Sequence, residues 1–104
     1  MSLDDIPLLE DDRLLLLWIP AAEDVGRLAA RLPQGLLVAM GAEDDVRAGR
    51  RASSQVGNIM FVHGTTDEIP WRDGMFTVIV SADEPTREVH RVLAPGGAIH
   101  RVRR

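Results

Sequence analysis

The side chains best suited to proton transfer or metal binding are three histidines, His63, His90 and His100, and a short acidic run, Asp67, Glu68 and Asp73. Acid–base catalysis needs titratable groups held within hydrogen-bond reach of a common substrate, and a zinc site needs ligands spaced to converge from one turn or hairpin. The histidines fall on three different predicted elements with no such spacing, so each reads as a structural or surface residue. The acids read as a solvated loop. The chain has no cysteine and no lysine. Disulfides, thiolate catalysis, Cys-ligated zinc, Schiff-base chemistry and a lysine general base are therefore excluded. Gly96 and Gly97 satisfy a tight turn rather than a phosphate loop, because no helix follows them.

Any remaining chemistry has to sit on a small scaffold. A chain of 104 residues is expected to form one domain, 1–104, that buries roughly two-thirds of the surface its unfolded chain exposes. Its first twelve residues are an acidic segment (Asp4, Asp5, Glu10, Asp11, Asp12) and its end is basic (Arg101, Arg103, Arg104), around a net charge of -4. Both read as solvated termini. Aromatic residues make up 4% of the chain and tyrosine is absent, which argues against a nucleic-acid surface, where basic groups alternate with stacking rings. The apolar run 14–20 is too short to cross a bilayer, and Asp4 and Asp5 stand where a signal peptide carries basic residues. The expectation is a cytoplasmic protein with no membrane partner.

The hydrophobic pattern alternates between two periods. Residues 13–19 form a continuous apolar run, as in a central parallel strand covered on both faces. Val25, Leu28, Ala29 and Leu32 then recur at helical spacing, with Pro20, Glu23 and Asp24 suited to the helix start and Pro33-Gln34-Gly35 ending it. A strand is predicted over 36–40 with Gly41 as its turn, and a helix from Glu43 to about Ser54. A third strand follows over 58–63, then a loop over 64–74 and a fourth strand over 75–81. Asp83 is suited to cap a helix with Pro85 in its first turn, Pro95-Gly96-Gly97 to break it, and 98–102 to form the last strand. Strands alternating with helices imply a parallel sheet with right-handed crossovers.

Two stretches carry a family likeness. FVHGTTDEIPWRDGMFTVIV, residues 61–80, resembles the pattern f-v-x-G-D-a-x-x-L-P-f-x-D-x-s-F-D-x-V. RVLAPGG, residues 91–97, resembles R-V-L-k-P-G-G. Together and in this order they resemble the class I S-adenosylmethionine-dependent methyltransferases, and most closely the small-molecule enzymes of the ubiquinone and menaquinone biosynthesis type. The likeness covers residues 13–104 and is strongest after residue 58. It implies a Rossmann-like α/β fold whose five-stranded, mainly parallel sheet has the order 3-2-1-4-5, with flanking helices. It also implies a truncated version, since the family continues past the fifth strand and begins with a further helical segment.

The same likeness locates the cofactor positions, and each is substituted here. The glycine-rich turn G-x-G-x-G after the first strand falls on residues 18–22, so Trp18, Pro20 and Ala22 stand where the family has glycines that let the cofactor approach. The ribose-binding acid at the end of the second strand is replaced by Gly41, with Glu43 two residues on as a substitute through a shifted loop. The adenine-side acid after the third strand is Thr65, and the aspartate of F-D-x-V is Thr77. Each lost charged hydrogen bond is worth about 1.5–3 kcal/mol. The resemblance therefore implies a domain that has lost S-adenosylmethionine binding, with no catalytic residue and no cofactor, and that serves as a protein-interaction or assembly module with an unknown protein partner. The alternative it leaves open is a methyltransferase for a small molecule, completed by dimerisation or a partner subunit. Trp18 would fill the vacated cofactor space or act as an ordinary core residue, and Trp71 would pack its loop onto the sheet. The fifth strand would lie at a sheet edge, an invitation to form a homodimer, unless the terminal arginines keep that edge solvated.

Overall fold

The computed structural model describes residues 1–103. Five parallel strands lie in the order β3-β2-β1-β4-β5, as the sequence resemblance implies. The strands are β1 (Arg13–Leu16), β2 (Leu36–Gly41), β3 (Ile59–His63), β4 (Phe76–Ser81) and β5 (Leu93–Arg101), and the helices are α1 (Ala22–Ala30), α2 (Glu43–Ala52) and α3 (Arg87–Val92).

The continuous apolar run of β1 is explained by its central place. Leu14 and Leu16 join a buried cluster with α1, α2 and Trp18, while Leu15 joins a second cluster on the other face with α3, Ile69 and Phe76. Burial of both faces removes the polar alternation of a half-exposed strand. β1 ends at Leu16 rather than at Ile19, although the Leu17 N–H still reaches the Val80 carbonyl at 3.0 Å. β2 includes Gly41, which the sequence reading placed in the turn after it.

The helices sit where their apolar spacing puts them. α1 buries Val25, Leu28 and Ala29, and the Asn58 amide closes its C-terminal end by donating to the Ala29 and Leu32 carbonyls at 3.0 and 2.9 Å. α2 buries only Val46. Its Gly49 is required for a different reason: a Cβ there would lie 2.5 Å from the Phe61 ring. The acidic N-terminal segment is more firmly held than a solvated terminus. Asp4, Asp5, Glu10 and Asp11 are exposed, but Ile6 is fully buried and its carbonyl accepts from Arg31 at 2.6 Å. Asp12 is buried as well, accepting from the Leu9 N–H at 2.7 Å and from the Thr77 hydroxyl at 2.8 Å.

Two local expectations are corrected around α3. Its N-cap is Thr86, whose hydroxyl accepts from the Val89 N–H at 3.2 Å and donates to the Thr66 carbonyl at 2.6 Å. Asp83 instead closes a turn with Ser81, which Pro85 separates from the helix. Pro95-Gly96-Gly97 does not break the helix, which has already ended at Val92; it forms a bulge inside β5. Phe76 pairs with Leu93 and Val78 with Ala98, so one residue of β4 faces four of β5. That bulge needs its glycines: Gly96 has φ 80°, and a Cβ on Gly97 would meet the Leu93 side chain at 2.7 Å and the Thr77 carbonyl at 2.8 Å.

Candidate functional site

In an open parallel α/β sheet, ligands bind beyond the carboxyl ends of the strands. Here that rim is made by residues 17–22 after β1, Gly41 to Glu43 after β2, His63 to Thr65 after β3 and Ser81 to Asp83 after β4. Trp18, in the turn after β1, is turned inward: it is 9% exposed and belongs to the core cluster shared with α1 and α2. Pro20 precedes the N-cap Ala21, and Ala22 is the first residue of α1.

The end of β2 is closed by a residue that the sequence pattern did not single out. A Cβ on Gly41 would lie 3.2 Å from both Cγ1 and Cδ1 of Ile19. The Ile19 side chain thus covers the place from which a carboxylate on this residue would start. Glu43, which the sequence reading offered as a substitute acid, lies in the first turn of α2 and accepts from Arg47 at 3.0 Å across an exposed i,i+4 pair. Thr65 is exposed at the lip of a shallow depression of about 270 Å³ shared with His63, Gly64, Glu68 and Pro70.

Thr77 belongs elsewhere. It sits near the start of β4, at the amino ends of the strands and away from their carboxyl ends, where its hydroxyl accepts from the Arg13 N–H at 2.9 Å and donates to Asp12. Counting it among the cofactor contacts is therefore a misassignment: the residue ties β1 to β4. Trp18, Ile19, Pro20, Ala22 and Gly41 gather around the ends of β1 and β2, Thr65 follows β3, and Thr77 joins none of them.

Two further concavities flank the rim. A groove of about 240 Å³ between the start of α1 and the length of α2 is lined by Ile19, Pro20, Ala22, Ala48, Ala52 and Phe61, almost all apolar. A broader, open depression of about 740 Å³ runs along Ile69, Pro70, Trp71, Arg72 and Met75. It is larger, but it is built on the 64–74 loop and Met75, with Arg72 as the one charged side chain lining it. The histidines stay apart: His63 ends β3, His90 is exposed on α3 and His100 lies half-buried on β5. Among the described residues, no group of three His, Cys, Asp or Glu side chains could hold a metal ion.

The most highly connected polar group is Arg91, the first residue of the R-V-L-x-P-G-G stretch. It donates to Glu88 at 2.7 and 2.9 Å, to Asp73 at 2.7 Å, and to the carbonyls of Ile69 and Trp71 at 2.9 Å each. Glu88 also accepts the Ile69 N–H at 3.1 Å. Within this chain the two motif stretches are joined mechanically: the arginine of the second holds the I-P-W loop of the first. Trp71, so fixed, meets Phe76 edge-on with ring centroids 5.5 Å apart, which packs the loop onto the sheet as expected.

Arg91 and, after it, the Ile69 N–H hold the Glu88 carboxyl down from 4.5 to about 2. A folded-state value below the unfolded one means the clamp contributes fully above about pH 4.5 and fades as pH falls toward 2. The stability gap between the wild type and Glu88→Gln, read from urea denaturation at several pH values, is expected to shrink across that window. A gap independent of pH would show that the carboxylate charge plays no part.

No family model and no curated protein matches the chain. Solved structures do. A S-adenosylmethionine-dependent methyltransferase from Aquifex aeolicus superimposes with a TM-score of 0.79 at 21% identity, over 89% of this chain and 56% of the other. The YcgJ protein of Bacillus subtilis gives 0.75 at 21% identity, over 93% and 46%. A chain of the Haloferax volcanii complex between the Trm112 methyltransferase activator and a methyltransferase gives 0.74 at 20%, over 93% and 47%. The fold is that of the class I S-adenosylmethionine-dependent methyltransferases. This methyltransferase-like chain spans about half the length of each of those structures. No helix among its described residues is long and apolar enough to cross a membrane.

Proposed function

We propose that this chain is a non-catalytic methyltransferase-fold domain that no longer binds S-adenosylmethionine and serves as a protein-interaction or assembly module. The observation that carries the reading is the Ile19 side chain against Gly41: the ribose-binding acid is gone and a hydrocarbon covers its starting point. The inward Trp18 supports it, because a turn that sends a large ring into the core no longer offers bare backbone to a ligand. At the rim Thr65 is neutral and Glu43 lies in an exposed pair with Arg47. Fold alone assigns no activity, since one scaffold hosts many functions.

Thermal melting in the presence of S-adenosylhomocysteine tests the reading. A ligand at a hundredfold excess over its dissociation constant raises stability by about 2.7 kcal/mol, which for a domain of this size moves the melting temperature by roughly 10 °C or more. The expected shift at millimolar ligand is nil. A shift of that size would overturn the reading in favour of a small-molecule methyltransferase completed by dimerisation or by a partner subunit.

A further inference from the structure

The end of α2 packs beside β3, which forms the edge of the sheet opposite β5. There Arg50 reaches over the strand and donates to the Phe61 carbonyl at 3.0 Å. A guanidinium carries more donors than that bond uses. The ion pairs among the described residues engage Arg27, Arg47, Arg91 and Arg101, so Arg50 is held in place without a counter-charge.

Arg50 lines a depression of about 320 Å³ together with Ser53, Ser54, Val56 and Met60. Every residue of this depression comes from 50–61, the passage from α2 into β3. Val56 is 39% and Met60 44% exposed, two of the four large hydrophobic side chains that the described residues leave in solvent. Edge protection accounts for the arginine, since a charge on an edge strand discourages pairing with another chain. It does not account for Val56 and Met60, which add apolar surface where such a device keeps the edge polar. One depression thus gathers an anchored cation, two hydroxyls and two exposed apolar side chains.

We infer that this depression docks an extended segment of a partner protein that carries an acidic side chain beside aliphatic ones. Its carboxylate pairs with Arg50, and an aliphatic side chain packs against Val56 and Met60. Charge selects the occupant, because the guanidinium lacks an anion and a carboxylate matches its forked N–H donors. The main chain fits an extended partner. The Asn58 carbonyl accepts from Leu37 at 2.9 Å, so by the alternation of a parallel ladder Met60 faces β2 and Phe61 faces outward. The Phe61 N–H therefore points to the same side as the carbonyl that Arg50 covers, a main-chain donor next to the guanidinium. A single-stranded nucleic acid fits less well. It stacks on exposed rings, whereas Phe61 is 6% exposed, and the chain's net charge of -4 opposes a polyanion. The inference rests on the interaction-module reading and names a surface and a partner chemistry for it.

The probe is an acetylated, amidated pentapeptide of alternating leucine and glutamate, titrated to millimolar concentration into the isotope-labelled chain and followed through its amide NMR signals. Saturable shifts centred on Arg50, Ser53, Ser54 and Met60 are expected. The same peptide with glutamine in place of glutamate is expected to bind about tenfold more weakly or worse, the factor for one charged hydrogen bond. Arg50→Gln is expected to lose the same factor, and Met60→Ser to weaken binding through lost apolar contact. Arg47→Gln, on the same helix but paired with Glu43, is expected to leave binding unchanged. The glutamine peptide and Met60→Ser remain decisive if Arg50→Gln fails to fold. Silence of these amides in the native chain, or equal binding of the two peptides, would overturn the inference. So would a short single-stranded oligonucleotide that moves the same amides while the peptide does not. A melting shift with S-adenosylhomocysteine counts against the interaction-module reading whatever the peptide does, and a silent peptide removes this surface while leaving that reading intact.

Discussion

Trp18→Ala is expected to lower the unfolding free energy by about 3–5 kcal/mol, the range for removing a large aromatic ring from a packed core. Trp18 is 9% exposed and shares its cluster with Leu14, Leu16, Val25 and Val80. A domain of this size has only about 5–15 kcal/mol in total, so the variant is expected to unfold at a much lower urea midpoint, and to be partly unfolded at 37 °C. Trp18→Phe, which keeps an aromatic ring in the same cluster, is expected to lose markedly less. The size of the effect separates the two roles open to this residue. A tryptophan that merely covered a ligand cavity would cost less than about 1 kcal/mol when truncated, as surface substitutions do. A loss that small would remove Trp18 from the core and reopen the rim as a binding surface.

Gly35→Ala is the second severe substitution, and its cause is space rather than backbone conformation. A Cβ at Gly35 would lie 2.2 Å from the Asp12 carbonyl oxygen and 3.2 Å from the Asp11 carbonyl carbon. Both neighbours are main chain, so no side chain can swing aside. The same carbonyl accepts the Leu36 N–H at 3.1 Å, the bond that brings β2 alongside β1. Moving Asp12 away to admit a methyl group breaks that bond and disturbs the Asp12 contacts to Leu9 and Thr77. The expected cost is about 3 kcal/mol, combining overpacking with a lost hydrogen bond. Gly26→Ala is the natural comparison: that glycine is inside α1 and a Cβ there meets nothing within 4 Å. It is expected to stabilise the domain by about 0.5–1 kcal/mol. Equal midpoints for the two variants in urea would show that the approach at Gly35 is looser than the structure has it.

The elements and their order were legible because burial leaves a strong trace in composition. A central strand buried on both faces must be apolar throughout, and β1 is; a helix on one face must repeat its apolar residues at 3.6, and α1 does. The motif stretches were legible for a reason visible only in three dimensions, since Arg91 joins them through the Ile69 and Trp71 carbonyls. What the sequence hid was decided by contacts between distant residues. Thr77 matched a family acid, yet it lies at the amino end of β4, where its hydroxyl bonds to Arg13, 64 residues away. Asp12 looked like one more terminal acid until Leu9 and Thr77 were seen to bury it. Asp83 and Thr86 are both sound capping residues, and what selects Thr86 is the Thr66 carbonyl on another loop.

The rim shows the same division. The residue types at 18–22 and at Gly41 could be read from the chain alone, but not that Ile19 folds over Gly41. Gly41, the residue without a Cβ, is the one that the Ile19 side chain covers.

Isothermal titration calorimetry of the native chain with S-adenosylmethionine and S-adenosylhomocysteine bears most directly on the central claim. On the proposed reading, the loss of two charged hydrogen bonds at about 1.5–3 kcal/mol each would weaken binding by roughly two to four orders of magnitude at about 1.4 kcal/mol per tenfold. The account predicts no heat beyond dilution for either ligand up to millimolar concentration. Saturable heat with a micromolar dissociation constant would contradict it.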